Sequence, residues 1–151
     1  MLRPSKKMLF AIEAVLDIAY HAGGEPVQSR EITRRQEIPR RYLEQTLQHL
    51  VRSGILVGVR GPKGGYRLAR ERRRITIGEI VRVMQSLEES EDIYQDLPGS
   101  PLGLGVVRPM WQDLQEDLMQ RLDTISIDDL CMKAWRDGVG SEAEEKMDFT
   151  I

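Results

Sequence analysis

The first apolar positions of the chain predict an amphipathic helix over residues 6–21. They recur three or four residues apart, as one face of a helix requires: Met8, Ile12, Val15 and Ala19. Ser5 is a suitable N-cap, and Gly23 and Gly24 end the helix. A basic start before an apolar run is also typical of a signal peptide, but Glu13 and Asp17 interrupt this run. The segment is therefore expected to be a core helix.

Two further helices are predicted before residue 54. Ser29 is expected to cap a short helix in which Ile32 contacts the core. The third helix runs from about Pro39 to Ser53 and ends at Gly54, a suitable left-handed cap. Its apolar face, expected in the core, comprises Leu43, Leu47, Leu50 and Val51. Its polar face, expected to meet solvent or a ligand, comprises Arg41, Glu44, Gln45, Gln48 and Arg52.

A short β-hairpin is predicted after the third helix. Residues 55–59 and 66–68 have the composition of strands, and the glycines and proline at residues 60–65 predict a tight, exposed tip. Residues 70–74 form a charged return loop. Thr76 and Glu79 have the spacing of a capping box, which predicts a fourth helix running to about Met84.

The second half of the chain predicts a loop, a long helix, a short helix and a tail. Periodicity is lost over residues 85–105, and a helix restarts at Arg108 and Pro109. An apolar seam with a mean spacing of about 3.5 residues follows, and it packs either on a second copy of the chain or within one protomer. The seam comprises Trp111, Leu114, Leu118, Leu122 and Ile125. Ser126 is expected to cap a short helix reaching about Trp135.

Together these elements predict a mainly α fold with a small two-stranded β wing. Three helices followed by a hairpin is the element order of a winged helix-turn-helix domain, here residues 1–84. Residues 85–105 are the loop, and residues 106–135 hold the dimerisation helix and the short C-terminal helix. Residues 136–151 are acidic and poor in apolar side chains, so they are expected to form a disordered tail.

The formal net charge of −2 conceals a difference between the two halves of the chain. Residues 1–74 contain 16 Lys and Arg against 7 Asp and Glu, whereas residues 75–151 contain 6 against 17. A basic block of this size indicates either a polyanionic partner or a solvated surface rich in arginine, and the positions of the basic residues favour the polyanion, here double-stranded DNA. The acidic half is unsuited to contact DNA, which favours an intersubunit role for the long helix.

The third helix carries side chains that can read base edges in the major groove. Arginine bonds guanine through two hydrogen bonds, glutamine pairs with adenine, and glutamate accepts from cytosine. The candidate base-reading residues are Arg40, Arg41, Tyr42, Glu44 and Gln45. At the wing tip, Arg60, Gly61 and Lys63 combine cations with a small residue that can approach the minor groove. Five basic residues are expected to contact phosphates on the same side: Lys6, Lys7, Arg30, Arg34 and Arg35.

Other classes of protein fit the sequence less well. An enzyme would need a nucleophile–base pair or a metal-ligand spacing, and neither is found. No apolar run approaches the length of a membrane span, so no membrane partner is expected. The single cysteine, Cys131, excludes an internal disulfide and fits the reducing cytoplasm. The alternative is a winged-helix adaptor that binds another protein, which would not need Arg40, Arg41, Arg60 and Lys63 together.

The sequence YLEQ at residues 42–45, followed by VRGPKGGYRLA at residues 59–69, resembles the IscR family of Rrf-type regulators. The resemblance extends from about Leu2 to Trp135. It implies a homodimeric regulator of transcription, by family habit a repressor, in which each protomer reads half of a palindromic operator. The residues that match the family's base-reading positions are Arg41, Tyr42, Glu44 and Gln45, and Arg60 matches its minor-groove arginine.

The chain departs from the family where other members hold an iron–sulfur cluster. The resemblance implies three cysteine ligands and one histidine ligand in the loop before the long helix. An ungapped placement gives these positions to Ile93, Gly99, Gly105 and Arg108. His21 and His49, the only histidines of the sequence, fall in predicted helices of the first half. No cofactor is therefore expected, and the alternative is an atypical cluster held by carboxylates and a shared cysteine.

Without a cluster, the signal is expected to come from a small-molecule effector, a protein partner or a redox-active thiol. Cys131 is the only candidate thiol, and Asp128 and Asp129 beside it are expected to raise its pKa and reduce its reactivity. A small buried apolar residue is the simpler interpretation of Cys131.

Overall fold

The computed structural model describes residues 3–88 and 98–143. Within these ranges the chain forms helices and one two-stranded antiparallel sheet. The elements are α1 (Lys6–His21), α2 (Ser29–Gln36), α3 (Arg40–Arg52), β1 (Leu56–Val59), β2 (Gly65–Leu68), α4 (Ile77–Glu88), α5 (Arg108–Leu122) and α6 (Ile127–Arg136). The predicted mainly α fold with a two-stranded β wing is confirmed.

Local hydrogen bonds explain where most helices begin and end. The Oγ of Ser5 accepts from the amide of Met8 at 3.1 Å, and Ser126 and Asp129 bond each other's amides at 3.0 and 2.9 Å. Gly54 follows α3 with φ +76°, where a side chain would be strained. The predicted cap of α2 was wrong by one residue. Gln28 precedes the helix and donates its N–H to Glu31 Oε2 at 2.9 Å, so Ser29 lies in the first turn.

The core is arranged around α1, which contacts α2, α3, α4 and α6. Ala11, Ala14 and Ile18 of α1 have no exposed surface. Because alanine is small, neighbouring helices can approach α1 closely at the first two of these positions. Ile32 of α2 and Leu47 of α3 are also fully buried, as their spacing predicted. The helix-turn-helix is therefore held against α1.

The wing is attached to the helical domain through a backbone contact. Strands β1 and β2 pair with Leu56 opposite Leu68 and Gly58 opposite Tyr66. Val27, which lies just before α2, exchanges two 2.8 Å hydrogen bonds with Tyr66 of β2. This contact fixes the wing relative to the start of the helix-turn-helix.

The predicted loop over residues 85–105 is wrong at both ends. Helix α4 continues past Met84 to Glu88, whose carboxylate accepts from Ser5 Oγ at 2.5 Å. Residues 101–107 are helical and lead directly into α5, with a π-helical turn at Gly103–Val107. Ser100 starts this turn by accepting the amide of Gly103 on its Oγ at 3.1 Å. Proline is compatible with the first turn of a helix, so Pro101 does not prevent it. Residues 89–97 of the predicted loop lie outside the described residues.

The predicted disorder after Arg136 is also wrong where the structure describes the tail. Residues 137–143 return to the C-terminal end of α1, and Ser141 is buried there. Its Oγ donates to the carbonyl of Tyr20 at 2.7 Å, and the amide of Glu142 donates to His21 Nδ1 at 3.1 Å. The segment is held by polar contacts, which a prediction based on apolar content misses. Residues 144–151 of the predicted tail lie outside the described residues.

Among the helices that the structure describes, none is long and apolar enough to cross a membrane.

Candidate nucleic-acid interface

Helix α3 separates a buried face from a solvent face. Leu43, Leu47 and Leu50 have no exposed surface, which fixes the rotation of the helix about its axis. The five predicted base-reading residues all lie on the exposed side: Arg40, Arg41, Tyr42, Glu44 and Gln45. Arg40 Nε and Glu44 Oε1 form an exposed ion pair at 3.0 Å, one helical turn apart. The first two turns of α3 therefore present a continuous set of polar groups and one aromatic ring to solvent.

The N-terminus of α1 lies beside this face. The Nζ of Lys7 is 5.8 Å from the centroid of the Tyr42 ring, within the range of a cation–π contact. Lys6 is exposed next to it. The structure thus brings the predicted phosphate-contacting lysines close to α3, although the two elements are far apart in the chain.

The tip of the wing is a tight turn that depends on glycine. Gly61 has φ +111°, and its carbonyl accepts from the amide of Gly64 at 2.9 Å. A Cβ on Gly64 would lie 2.3 Å from the carbonyl oxygen of Val59, so only glycine fits. The predicted contact residues Arg60, Gly61 and Lys63 are exposed around this turn.

The basic residues of α2 differ in their availability. Arg35 was predicted to contact phosphate, and that prediction was wrong. Its side chain is only 10% exposed, and Asp17 accepts from Nη2 at 2.8 Å and from Nε at 2.9 Å. Arg34 is 65% exposed, but its Nη2 lies 2.8 Å from Glu142 Oε1. Arg30 is exposed.

The predicted dimer seam divides into two parts. Leu114 and Leu118 are 52% and 54% exposed, and α5 contains no buried residue. Trp111 is half-buried. Leu122 and Ile125 instead pack against the core of their own protomer, and Ile125 lies beyond the end of α5. For these two residues, packing within one protomer is the correct interpretation.

Further apolar residues, which the sequence pattern did not indicate, extend this surface towards and into the start of α5. More than half of each side chain is exposed in Leu102, Leu104, Val106, Val107 and Met110. The signal was the apolar run at residues 102–107, which the neighbouring glycines and prolines caused to be interpreted as loop. We call Leu102, Leu104, Val106, Val107, Met110, Leu114 and Leu118 the exposed apolar face.

The positions that match the family's cluster ligands do not fit an iron–sulfur cluster. Gly99, Gly105 and Arg108 offer neither thiolate nor imidazole, and Ile93 lies outside the described residues. A Cβ on Gly99 would lie 2.4 Å from the Leu104 side chain, so the turn is closely packed there. In residues 3–88 and 98–143, no group of three or more His, Cys, Asp and Glu side chains could hold a metal ion.

Cys131 is buried in α6, and the pKa of its thiol is raised. Burial raises the pKa of its thiol, Asp128 raises it further, and Arg72 opposes both. The carboxylates beside Cys131 predict the direction of this pKa shift, but removal of the thiol from water is its larger cause.

A polar helix face beside a glycine-rich hairpin is the arrangement of the winged helix-turn-helix transcriptional regulators. The Rrf2 family, described as iron-dependent transcriptional regulator, matches residues 4–133. The chain belongs to this family, so it is a DNA-binding regulator of transcription and not an enzyme.

Individual relatives agree with this assignment. The chain is 35% identical over 132 residues to the HTH-type transcriptional regulator IscR of Xenorhabdus nematophila. The match covers 85% of this chain and 79% of that protein. The structure of T. potens IscR is similar, with a TM-score of 0.72, 31% identity and coverage of 92% and 93% of the two chains. CymR, the global cysteine regulator of B. subtilis, is similar at 26% identity and a TM-score of 0.70, with coverage of 88% and 98%.

The tight packing of the wing tip predicts different effects of alanine substitution on stability at two glycines. We expect Gly64→Ala to lower the free energy of unfolding by about 1–3 kcal/mol, because the added methyl group collides with backbone oxygens. Gly58→Ala is the matched control, since nothing lies within 4 Å of its Cβ position. Urea unfolding followed by circular dichroism at one protein concentration compares the two. Equal stability of both variants would show that the tip is not tightly packed.

Proposed function

We propose that this protein represses transcription as a cluster-free homodimer that binds a palindromic operator. The observation that carries the proposal is the shared exposure of the polar α3 face and the wing tip, with Lys7 beside them. Helix α3 enters the major groove, where Arg41, Glu44 and Gln45 meet base edges. Arg60 enters the adjacent minor groove, whose negative potential attracts arginine. Lys6 and Lys7 hold neighbouring phosphates.

The exposed apolar face supports the dimer. Seven large apolar side chains, each more than half exposed, form a patch that a lone protomer would leave in water. A second copy of the chain offers the same patch, and a two-fold axis satisfies both at once. The two DNA-binding domains of a symmetric dimer then require two symmetric half-sites, which is why we propose a palindromic operator. A dimer seated on a promoter excludes other proteins from that DNA, which gives repression.

The donor set supports the absence of a cluster. The three described positions that match ligands carry Gly99, Gly105 and Arg108, and Cys131 is a buried thiol whose pKa burial raises. Iron–sulfur clusters require thiolates or imidazoles, so the matched positions supply no ligand.

Selection of DNA from a random pool tests the proposed function. We expect a palindromic sequence to be enriched, with an affinity that falls by a factor of about 1,000 or more between roughly 50 and 200 mM salt. Arg41→Ala should relax the preference at one base pair in each half-site, by a factor of roughly 5–150. Arg136→Ala, at the exposed end of α6, is the charge-matched control and should change nothing.

The same purified protein can be tested for its ability to take up an iron–sulfur cluster. Protein incubated with iron and sulfide under reducing conditions is expected to show no visible absorption after desalting. A brown protein would contradict the cluster-free proposal. Absence of any enriched sequence from a colourless protein would instead favour the adaptor.

A substitution on the exposed apolar face tests the dimer. We expect Leu118→Glu to weaken self-association by at least about 100-fold, because a buried leucine is lost from both protomers and a charge takes its place. Gln112→Glu adds the same charge at an exposed polar position on the other side of α5 and should leave the dimer intact. Sedimentation equilibrium measures both. A Leu118→Glu protein that still dimerises like the wild type would place the interface elsewhere.

A further inference from the structure

The C-terminal segment at residues 139–142 is docked on the helix-turn-helix domain by several contacts. The hydroxyl of Tyr20 donates to the carbonyl of Val139, and Ser141 donates back to the carbonyl of Tyr20. The amide of Glu142 donates to His21 Nδ1. These contacts join residues more than 100 positions apart, and they bring the carboxylate of Glu142 to the end of α2.

The carboxylate of Glu142 bridges two arginines of α2. Its Oε2 lies 2.6 Å from Arg35 Nη1, and its Oε1 lies 2.8 Å from Arg34 Nη2. Arg35 does not depend on this contact, because the buried Asp17 already binds its Nε and Nη2. For Arg34, Glu142 is the ion-pair partner that the described residues provide.

The carboxylate of Glu142 is ionised in this arrangement. Burial opposes ionisation of Glu142, but the hydrogen bond from Arg34 and the charges of Arg35 and Arg34 outweigh it, so the pKa of Glu142 is lowered. Burial and then the charge of Arg35 lower the pKa of His21, which keeps its ring neutral and able to accept from the Glu142 amide. Near neutral pH the segment is therefore docked with its carboxylate charged.

Arg34 occupies a position where a phosphate competes for the same guanidinium. In a helix-turn-helix, the helix before the recognition helix crosses the nucleic-acid backbone, and here that helix is α2. Arg34 remains 65% exposed despite its partner, so a phosphate can reach it. A carboxylate and a phosphate oxygen bind a guanidinium in the same way, so Glu142 and a phosphate compete for the charge of Arg34 and for the Nη2 group that Glu142 already binds.

We propose that Glu142 is an internal competitor for DNA: it occupies Arg34 in the free protein and must be displaced by a DNA phosphate. The C-terminal segment then lowers the affinity of every DNA sequence alike, because phosphate contacts carry no base preference. This inference rests on the proposed DNA-binding function. It gives the segment a regulatory role, since anything that undocks residues 139–142 increases binding.

A double-mutant cycle tests the competition. We expect Glu142→Gln to raise affinity for operator and for unrelated duplex DNA by about two- to fivefold per protomer, the range that an exposed ion pair allows. The gain should shrink at higher salt, which already weakens the internal pair. Arg34→Gln should lower affinity, and adding Glu142→Gln to it should bring no further change. Asp137→Asn removes the same charge from a pair with Lys133 on α6 and should leave affinity unaltered.

Hydrogen exchange measures the displacement directly. The Glu142 amide, bonded to His21 in the free protein, should exchange faster when saturating DNA is added. An unchanged or slower amide, or a Glu142→Gln protein that binds DNA no better than wild type, would overturn the inference. Wild-type protein that binds no DNA in the same assay would overturn the proposed function instead, so the two failures are distinguishable.

Discussion

The fold depends on burying one face of α3 completely. Leu43, Leu47 and Leu50 lie in the core with no exposed surface, and α1 packs against α3 and α2 together. Complete burial leaves the helix no freedom to rotate, so the direction of its polar face is set by the core. The candidate base-reading residues of α3 face solvent because the opposite side of the helix is held in the core.

The wing is fixed to the same core by backbone hydrogen bonds and by apolar side chains, among them the buried Leu56. The paired hydrogen bonds between Val27 and Tyr66 connect β2 to the residue that leads into α2. Gly65 permits the contact, since a Cβ there would lie 2.4 Å from the carbonyl oxygen of Val27. One core therefore positions both α3 and the wing, as the proposed contacts with a major and a minor groove require.

Features set by neighbouring residues could be predicted from the sequence, and features set by distant residues could not. The caps at Ser5 and Ser126 and the turn at Gly54 follow from local hydrogen bonding and backbone conformation. The burial of Arg35 follows from Asp17 and Glu142, which lie 18 and 107 positions away. No pattern around Arg35 distinguishes it from Arg34, so both were predicted to contact phosphate. The helical turn at Gly103–Val107 was missed because glycine and proline obscured its apolar signal.

The central claim is that α3 and the wing of one protomer occupy adjacent grooves of the same half-site. Footprinting of an enriched operator with hydroxyl radical and with dimethyl sulfate, with wild-type protein and Arg60→Ala side by side, tests it most directly. We predict two symmetric regions of minor-groove protection that Arg60→Ala loses, while major-groove guanines stay protected from methylation. Minor-groove protection that is absent from the wild type, or that survives Arg60→Ala unchanged, would contradict the account.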